Sequence, residues 1–319
     1  MTTEDKIHVP VMLHETLEYL DLKEDGIYVD CTFGRGGHSQ AILTRLKRGK
    51  LFAFEWDQKF SNLAKKDLSF SSPQFQIIND NFANLNNRLV ELGIEKVDGF
   101  LFDLGLSSDQ LNEENRGFSY RLDSSLDMRI NKESELTAED VINNYSYEKL
   151  ADIFYYYGEE RKARAIARKI CYRREREKIT NSDQLVGIVA SCFSKKSNKH
   201  PARRVFQALR IFVNNELENI SQALESAFKL LNNGGKIIVI SFHSLEDRIV
   251  KQIFKKFSGE DFQIITKKPL LPTLQEIEGN HRARSAKMRA IARKTRSLQT
   301  TKFQNSTKQK QKEKKSYQK

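Results

Sequence analysis

Apolar residues fall along the chain in short runs: Ile27–Asp30, Leu51–Phe54, Phe75–Ile78, Gly99–Phe102 and Lys236–Phe242. Each has the length of a buried strand. The last is a continuous Ile-Ile-Val-Ile run of the kind covered on both faces of a parallel sheet. Segments with helical spacing of apolar positions separate the first four, and this alternation predicts an α/β fold. Residues 104–235 interrupt it. That stretch is several times longer than one crossover needs and its strongest periodicity is helical, so an inserted helical lobe is expected. Within it, Glu159–Ile170 reads as a helix with Ala163, Ile166, Ala167 and Ile170 on one side. Arg161, Arg164 and Arg168 share another side, whose first reading is a solvated face. The chain is expected to rejoin the sheet through an amphipathic helix bearing Val205, Leu209, Phe212 and Val213. A Gly234-Gly235 stop and the strand from Lys236 follow. No internal repeat is visible.

Length and charge refine this picture. A chain of 319 residues can bury a full core and is long enough for two lobes. The expected division is a sheet domain over 1–110 and 206–296, an inserted helical domain over 111–205, and a tail over 297–319. The net charge of +12 is concentrated at one end, where residues 281–319 hold 14 Lys or Arg and one acid. The tail, rich in Lys, Gln and Ser, has almost nothing to bury and is expected to be disordered. It reads either as a solubilising segment or as an arm that attracts polyanions. No apolar run approaches the ~20 residues of a membrane span, and the polar start lacks a signal-peptide layout, so a cytoplasmic protein without a membrane partner is expected. Cys31, Cys171 and Cys192 are too few and scattered for a disulfide framework. Neither they nor the six histidines show metal-ligand spacing, so no metal is expected.

Candidate chemistry gathers where the strands end. The first runs into Asp30-Cys31-Thr32-Phe33-Gly34-Arg35-Gly36-Gly37-His38-Ser39, a glycine-rich turn opening a helix. Glycines there permit positive φ and close approach to a ligand, and the helix start offers free N–H groups. A tight structural connection is the alternative reading. Glu55 closes the second strand 21 residues after Gly34, where a Rossmann-like fold places the acid that binds a ribose. Asp80-Asn81-Phe82 follows the third strand and Asp103-Leu104-Gly105-Leu106-Ser107-Ser108-Asp109-Gln110 the fourth. After the fifth come His243 and Asp247-Arg248, which read either as site residues or as a hydrogen-bonded helix start. An NAD-dependent oxidoreductase would share the turn and the acid but normally shows Gly-x-Gly-x-x-Gly, whereas residues 34–39 run Gly-Arg-Gly-Gly-His-Ser.

Longer segments carry a resemblance. HVPVML from His8, DCTFGRGGHS, DGFLFDLGLSSDQL from Asp98, RGFSYRLDSSLDMR from Arg116, GEERKARAIARKI, HPARRVFQALRIFVNNEL from His200, GGKIIVISFHSLEDRIVK and NHRARSAKMR resemble the RsmH (MraW) family nearly end to end. The family's members are S-adenosylmethionine-dependent methyltransferases acting on the exocyclic N4 of a cytidine in small-subunit ribosomal RNA. The resemblance implies a Rossmann-like class I methyltransferase sheet with an inserted all-helical lobe. It implies S-adenosyl-L-methionine as cofactor. The implied partner is 16S rRNA, in the small ribosomal subunit or a late assembly form. A homodimer is the oligomer considered. Cofactor contacts carry over to Gly36, Gly37, His38, Glu55, Phe82, Asp103 and Gln110. Glu55 stands where the family usually has Asp, which makes Asp57 a competing ribose acid. Ser125 and His281 are smaller departures from the family's motifs.

Cytosine N4 is a poor nucleophile because its lone pair is delocalised into the ring. An acceptor for the amino protons helps, and Asp103 is the catalytic candidate. The Asn/Asp-Pro-Pro-aromatic device of DNA aminomethyltransferases is absent at Asp103-Leu104-Gly105-Leu106. Arg116, Arg129, Arg161, Arg203, Arg204 and Arg282 are candidates for phosphate contacts. A non-enzymatic RNA-binding assembly factor on the same scaffold is the alternative function, since fold does not establish activity.

Overall fold

The computed structural model describes residues 10–113, 115–194 and 200–295, and the lysine-rich tail expected to be disordered lies outside them. Seven strands form one sheet: β1 Ile27–Asp30, β2 Lys50–Phe54, β3 Phe75–Ile78, β4 Val97–Asp103, β5 Leu231–Ser241, β6 Phe262–Ile264 and β7 Lys287–Arg293. Their order is β3-β2-β1-β4-β5-β7-β6. The first five are parallel, and β7 runs antiparallel to both β5 and β6. The direction of strand progression reverses between β1 and β4, and open α/β sheets bind ligands outside the strand ends at such a point.

Both faces of the sheet are covered. On one, Val29, Phe52, Phe54, Phe100, Phe102, Ile237 and Val239 pack against the helices Leu85–Glu91, Glu216–Leu230 and Ser244–Phe257. On the other, Tyr28, Leu51, Leu101, Ile238 and Ile240 meet Met12, Leu20, Ile42 and Met288. Central strands buried on both sides need apolar residues at consecutive positions, which is why they read as unbroken runs in the sequence.

The inserted lobe has its own core, drawn from segments between Phe118 and Val213. Its helices are Ala138–Asn144, Tyr147–Tyr156, Ala163–Arg174, Ser182–Ala190 and Arg203–Val213. Ala163, Ile166, Ala167 and Ile170 face this core as expected, but their helix starts at Ala163, after Glu159 takes a φ of 50°. The helix Arg203–Val213 belongs to the lobe core, so the boundary expected at 205–206 falls inside it. A second helix, Glu216–Leu230, then leads to β5, where one helix was expected. Asn215 breaks the two apart at a φ of 50°, and the Asn214 side chain bonds Ile130 N at 2.7 Å and Met128 O at 2.7 Å. Gly234-Gly235 does not stop a helix. It lies in an irregular start of β5, whose register against β4 jumps between Val97 and Gly99.

Two strands were not expected. β7 lies in the basic C-terminal region, ahead of the tail read as a polyanion arm, which falls outside the described residues. Its alternation is obscured because Arg289 is buried, held by Asp247 at 2.6 Å, while Met288, Ala290 and Ile291 fill the core. No helix among the described residues is long and apolar enough to cross a membrane.

Candidate functional site

β1 ends at Asp30, fully buried, and that carboxylate organises the turn after it. It accepts from Thr32 N at 3.0 Å and from Ser39 Oγ at 2.7 Å, tying the strand end to the helix Gly37–Leu43. Thr32 Oγ1 in turn accepts the backbone N–H of Asp103 at 2.6 Å, so the tips of β1 and β4 are joined at the switch point. Gly34 and Gly36 take φ of 56° and 76°, where a side chain is strained. Their surroundings differ. A Cβ on Gly34 would meet open space, whereas one on Gly36 would lie 2.4 Å from the Phe70 ring and one on Gly37 would lie 2.4 Å from Pro10.

Gly34 N donates to Glu55 Oε2 at 2.9 Å, and Asp57 N donates to Glu55 Oε1 at 2.8 Å. The carboxyl is only 7% exposed, and burial pushes its pKa up to about 8 in spite of these two bonds. Asp57 faces elsewhere. It caps the helix Gln58–Lys66 through Lys59 N at 3.0 Å and receives Arg116 Nη2 at 2.9 Å and Gln110 Nε2 at 3.4 Å. Gln110 also closes a capping box with Ser107.

Asp103 Oδ2 lies 3.6 Å from His38 Nδ1, and Oδ1 is buried without a hydrogen-bond partner. His38 Nε2 lies 3.1 Å from Val11 O, which fixes the ring. Burial, with Asp30 and Glu246 adding to it and Arg282 opposing, pushes the Asp103 carboxyl up to about 8. A quarter of that side chain still faces the cavity, where solvent tempers the shift.

These groups line one cavity of about 420 Å³ at the carboxyl ends of the strands. Gly34, Gly37, His38, Glu55, Phe82, Asp103 and Gln110 all border it; Gly36 and Asp57 do not. Gly36 instead lets the turn pass Phe33 and Phe70. The opposite wall comes from the lobe, with Phe118, Tyr120, Phe206 and Arg210, and from Phe242, His243 and Arg282. Trp56, the single tryptophan of the chain, and Thr32 also border the cavity. Neither was singled out from sequence, although both adjoin residues that were.

Two of the arginines considered for phosphate contact are committed elsewhere. Arg116 is 2% exposed and bonds Asp57 and the carbonyls of Arg129 and Ile130. Arg129 pairs with Asp127 at 2.7 Å and reaches the carbonyls of Lys132 and Ser134. Arg161, Arg203 and Arg204 are exposed on the lobe, and Arg282 borders the cavity. Asp247 and Arg248 prove to be structural: the first holds Arg289, the second reaches Glu159 at 2.7 Å.

His243 serves both readings. Its Nδ1 accepts Glu246 N at 3.3 Å as a helix cap, while the ring borders the cavity. Burial raises the pKa of Glu246, but His243 and Arg210 outweigh it and hold that carboxyl below its usual range. Glu216, His243 and Glu246 place potential ligand atoms within 4.8 Å of one another. Arg210 already supplies positive charge there through two bonds to Glu216, at 2.8 and 2.7 Å.

The chain is similar in structure to a Clostridium thermocellum protein assigned as an rRNA methylase, at 14% identity and a TM-score of 0.46 over 90% of this chain and 100% of that one. A Streptococcus thermophilus rRNA methylase gives 12% identity and a TM-score of 0.45, covering 90% and 99%. A SAM-dependent O-methyltransferase from Thermotoga maritima gives 11% and 0.42, covering 92% and 69%. The sequence profile of the MraW methylase family matches residues 5–294, most of the length, and the chain belongs to that family.

Proposed function

We propose that this protein methylates the N4 amino group of one cytidine in the decoding region of 16S rRNA, the cofactor lying against the strand tips and the cytosine against the lobe. As a member of a methylase family the chain uses S-adenosylmethionine. The observation that carries the reading is the cavity at the β1/β4 switch point, walled on one side by Gly34, Glu55 and Asp103 and on the other by lobe aromatics.

The residues present suit the cofactor. Open space beside Gly34 leaves room for a ligand against the backbone. Glu55 keeps free lone pairs for ribose hydroxyls, since each of its oxygens accepts only one backbone N–H. Phe82 and Trp56 offer apolar surface for a purine, and the orphaned Asp103 Oδ1 offers an acceptor. When bound, the cofactor supplies an electrophilic methyl carbon on a positively charged sulfur.

The protein's own task is alignment and proton handling. Phe118, Tyr120 and Phe206 hold a base that has left its stack. Asp103 accepts an N4–H, which draws the nitrogen lone pair out of conjugation and toward the methyl. N4 gains a carbon and must lose a proton. Burial pushes the Asp103 carboxyl upward, so its ionised form is a stronger base for that proton than an exposed carboxylate. No covalent enzyme nucleophile is needed, and Cys31 is buried in the strand tip with its thiol pushed well above its ordinary range by burial and by Asp30.

Unmethylated small subunits incubated with labelled S-adenosylmethionine and digested to nucleosides should yield N4-methylcytidine by mass spectrometry, with subunits or a late assembly form preferred to naked rRNA. Label on a ring carbon or ribose, or label undiminished in Asp103→Ala, would overturn the mechanism.

A further inference from the structure

A second cavity of about 700 Å³ adjoins the first and shares Arg203, Gln207, Phe242 and His243 with it. We propose that this cavity holds the nucleotide next to the methylated cytidine, with its phosphate against Arg203 and Arg204. The inference rests on the reading that the first cavity takes the target base.

Three features of the cavity point to that ligand. The first is continuity. A base drawn into the first cavity carries its strand neighbour with it, and the shared wall places the second cavity where that neighbour must go. Base-flipping enzymes commonly set their context preference through such flanking contacts. Charge is the second. Glu159, on this wall, is already bonded to Ser244 Oγ at 2.7 Å and Arg248 Nη2 at 2.7 Å, so its carboxylate is neutralised. Arg204 is half exposed and lies 3.9 Å from Glu160, the far limit of an ion pair, and Arg203 is exposed. Both open the helix Arg203–Val213, just after His200, whose Nδ1 accepts Ala202 N at 3.3 Å. Two neighbouring guanidinium forks suit a phosphodiester. The third is a stacking surface. Tyr120 borders the first cavity and His200 the second, and their rings stack at 4.6 Å and 19°. A π surface shared across the two cavities suits two successive bases.

Methyl transfer to unmethylated small subunits, with kcat and KM separated, tests this in four proteins. They are wild type, Arg204→Glu, Ala190→Trp and Arg164→Glu. Ala190 is an exposed helix end on the cavity wall, so the indole fills the space without entering a core. Arg164 is exposed on the same lobe and borders neither cavity, so its reversal reports the general field alone. KM should rise about tenfold or more in both cavity variants, with kcat and S-adenosylhomocysteine affinity kept. Arg164→Glu should shift KM by less than about threefold. Cavity variants that match Arg164→Glu in KM, or that weaken S-adenosylhomocysteine, overturn the inference. If label still reaches cytosine N4 in that case, the reading of the first cavity stands; if wild type transfers no methyl to RNA, both fall.

Discussion

Replacing Arg116 by Met should destabilise the protein severely and loosen its cofactor site, although nothing in the composition separates this arginine from the many others. Arg116 and Asp57 are 2% and 4% exposed in their side chains, and their ion pair is 2.9 Å long. Methionine removes the counter-charge of a buried carboxylate, and two backbone carbonyls, of Arg129 and Ile130, lose their donor. Breaking one side of a buried pair costs about 3–5 kcal/mol, because the charge left behind keeps its desolvation penalty. At ~2 °C per kcal/mol that is a fall in Tm of roughly 6–10 °C. The double variant Arg116→Met/Asp57→Asn should regain about 1–3 kcal/mol, since the amide no longer carries a charge and can still cap Lys59 N. The two residues also bear on the site. Asp57 N holds Glu55 Oε1 at 2.8 Å, so a displaced Asp57 disturbs the proposed ribose acid. Urea titration of the four proteins of the cycle, with S-adenosylhomocysteine calorimetry on each, measures both effects. A loss below about 1 kcal/mol, or a double variant no better than the single, would refute the account. So would a large drop in the salt dependence of RNA binding with stability intact, which would make Arg116 a phosphate contact after all.

Glu55→Gln should weaken S-adenosylhomocysteine by about 1–3 kcal/mol by calorimetry, since an amide cannot accept from Gly34 N, Asp57 N and the ribose together. Asp57→Asn should cost less, and the reverse order would move the ribose acid to Asp57. The Glu55 carboxyl stands at about 8 against 4.5 for its unperturbed value, so the folded protein binds the extra proton. Its contribution is complete below pH 4.5 and is lost as pH rises through 8. The urea midpoint of cofactor-free wild type should therefore fall more steeply over this window than that of Glu55→Gln, and parallel curves would contradict the shift. Gly36→Ala should lower Tm, because its Cβ meets two phenylalanine rings at a φ of 76°. The loss should exceed about 1 kcal/mol; an unchanged Tm would show that the turn can give way.

The sequence made the parallel half of the sheet legible because those strands are buried on both faces. β1 and β3 begin and end where their apolar runs do. The strands that were missed satisfy a different constraint. In Lys287-Met288-Arg289-Ala290-Ile291-Ala292-Arg293 three of seven residues are basic and Ile291 breaks their alternation, a pattern that also describes a polyanion-binding segment. What makes it a strand is remote: Asp247, on the helix after β5, neutralises Arg289 and lies 3.6 Å from Lys287, so the chain can enter the sheet without leaving a charge unpaired. Partnership of this kind is set by the fold, and no window of sequence contains both members.

The same distinction divides the candidate site. Glu55 and Asp103 were legible as candidates because each ends or follows a strand, and open sheets bind ligands there, whereas Gly36, named with them, turns away from the cavity and Gly34 borders it. The far wall has no such rule. Phe118, Tyr120 and Phe206 belong to a lobe whose helices look, one at a time, like ordinary packing elements. They become a wall only because the insertion leaves the sheet after β4, at the edge of the switch point, and folds back over it. Glu159 then joins lobe to sheet domain through Ser244 and Arg248, at the start of the helix that follows β5. The insertion point therefore has a physical consequence: it sets the lobe's Phe118, Tyr120 and Phe206 around the same cavity that Asp103, at the tip of β4, borders.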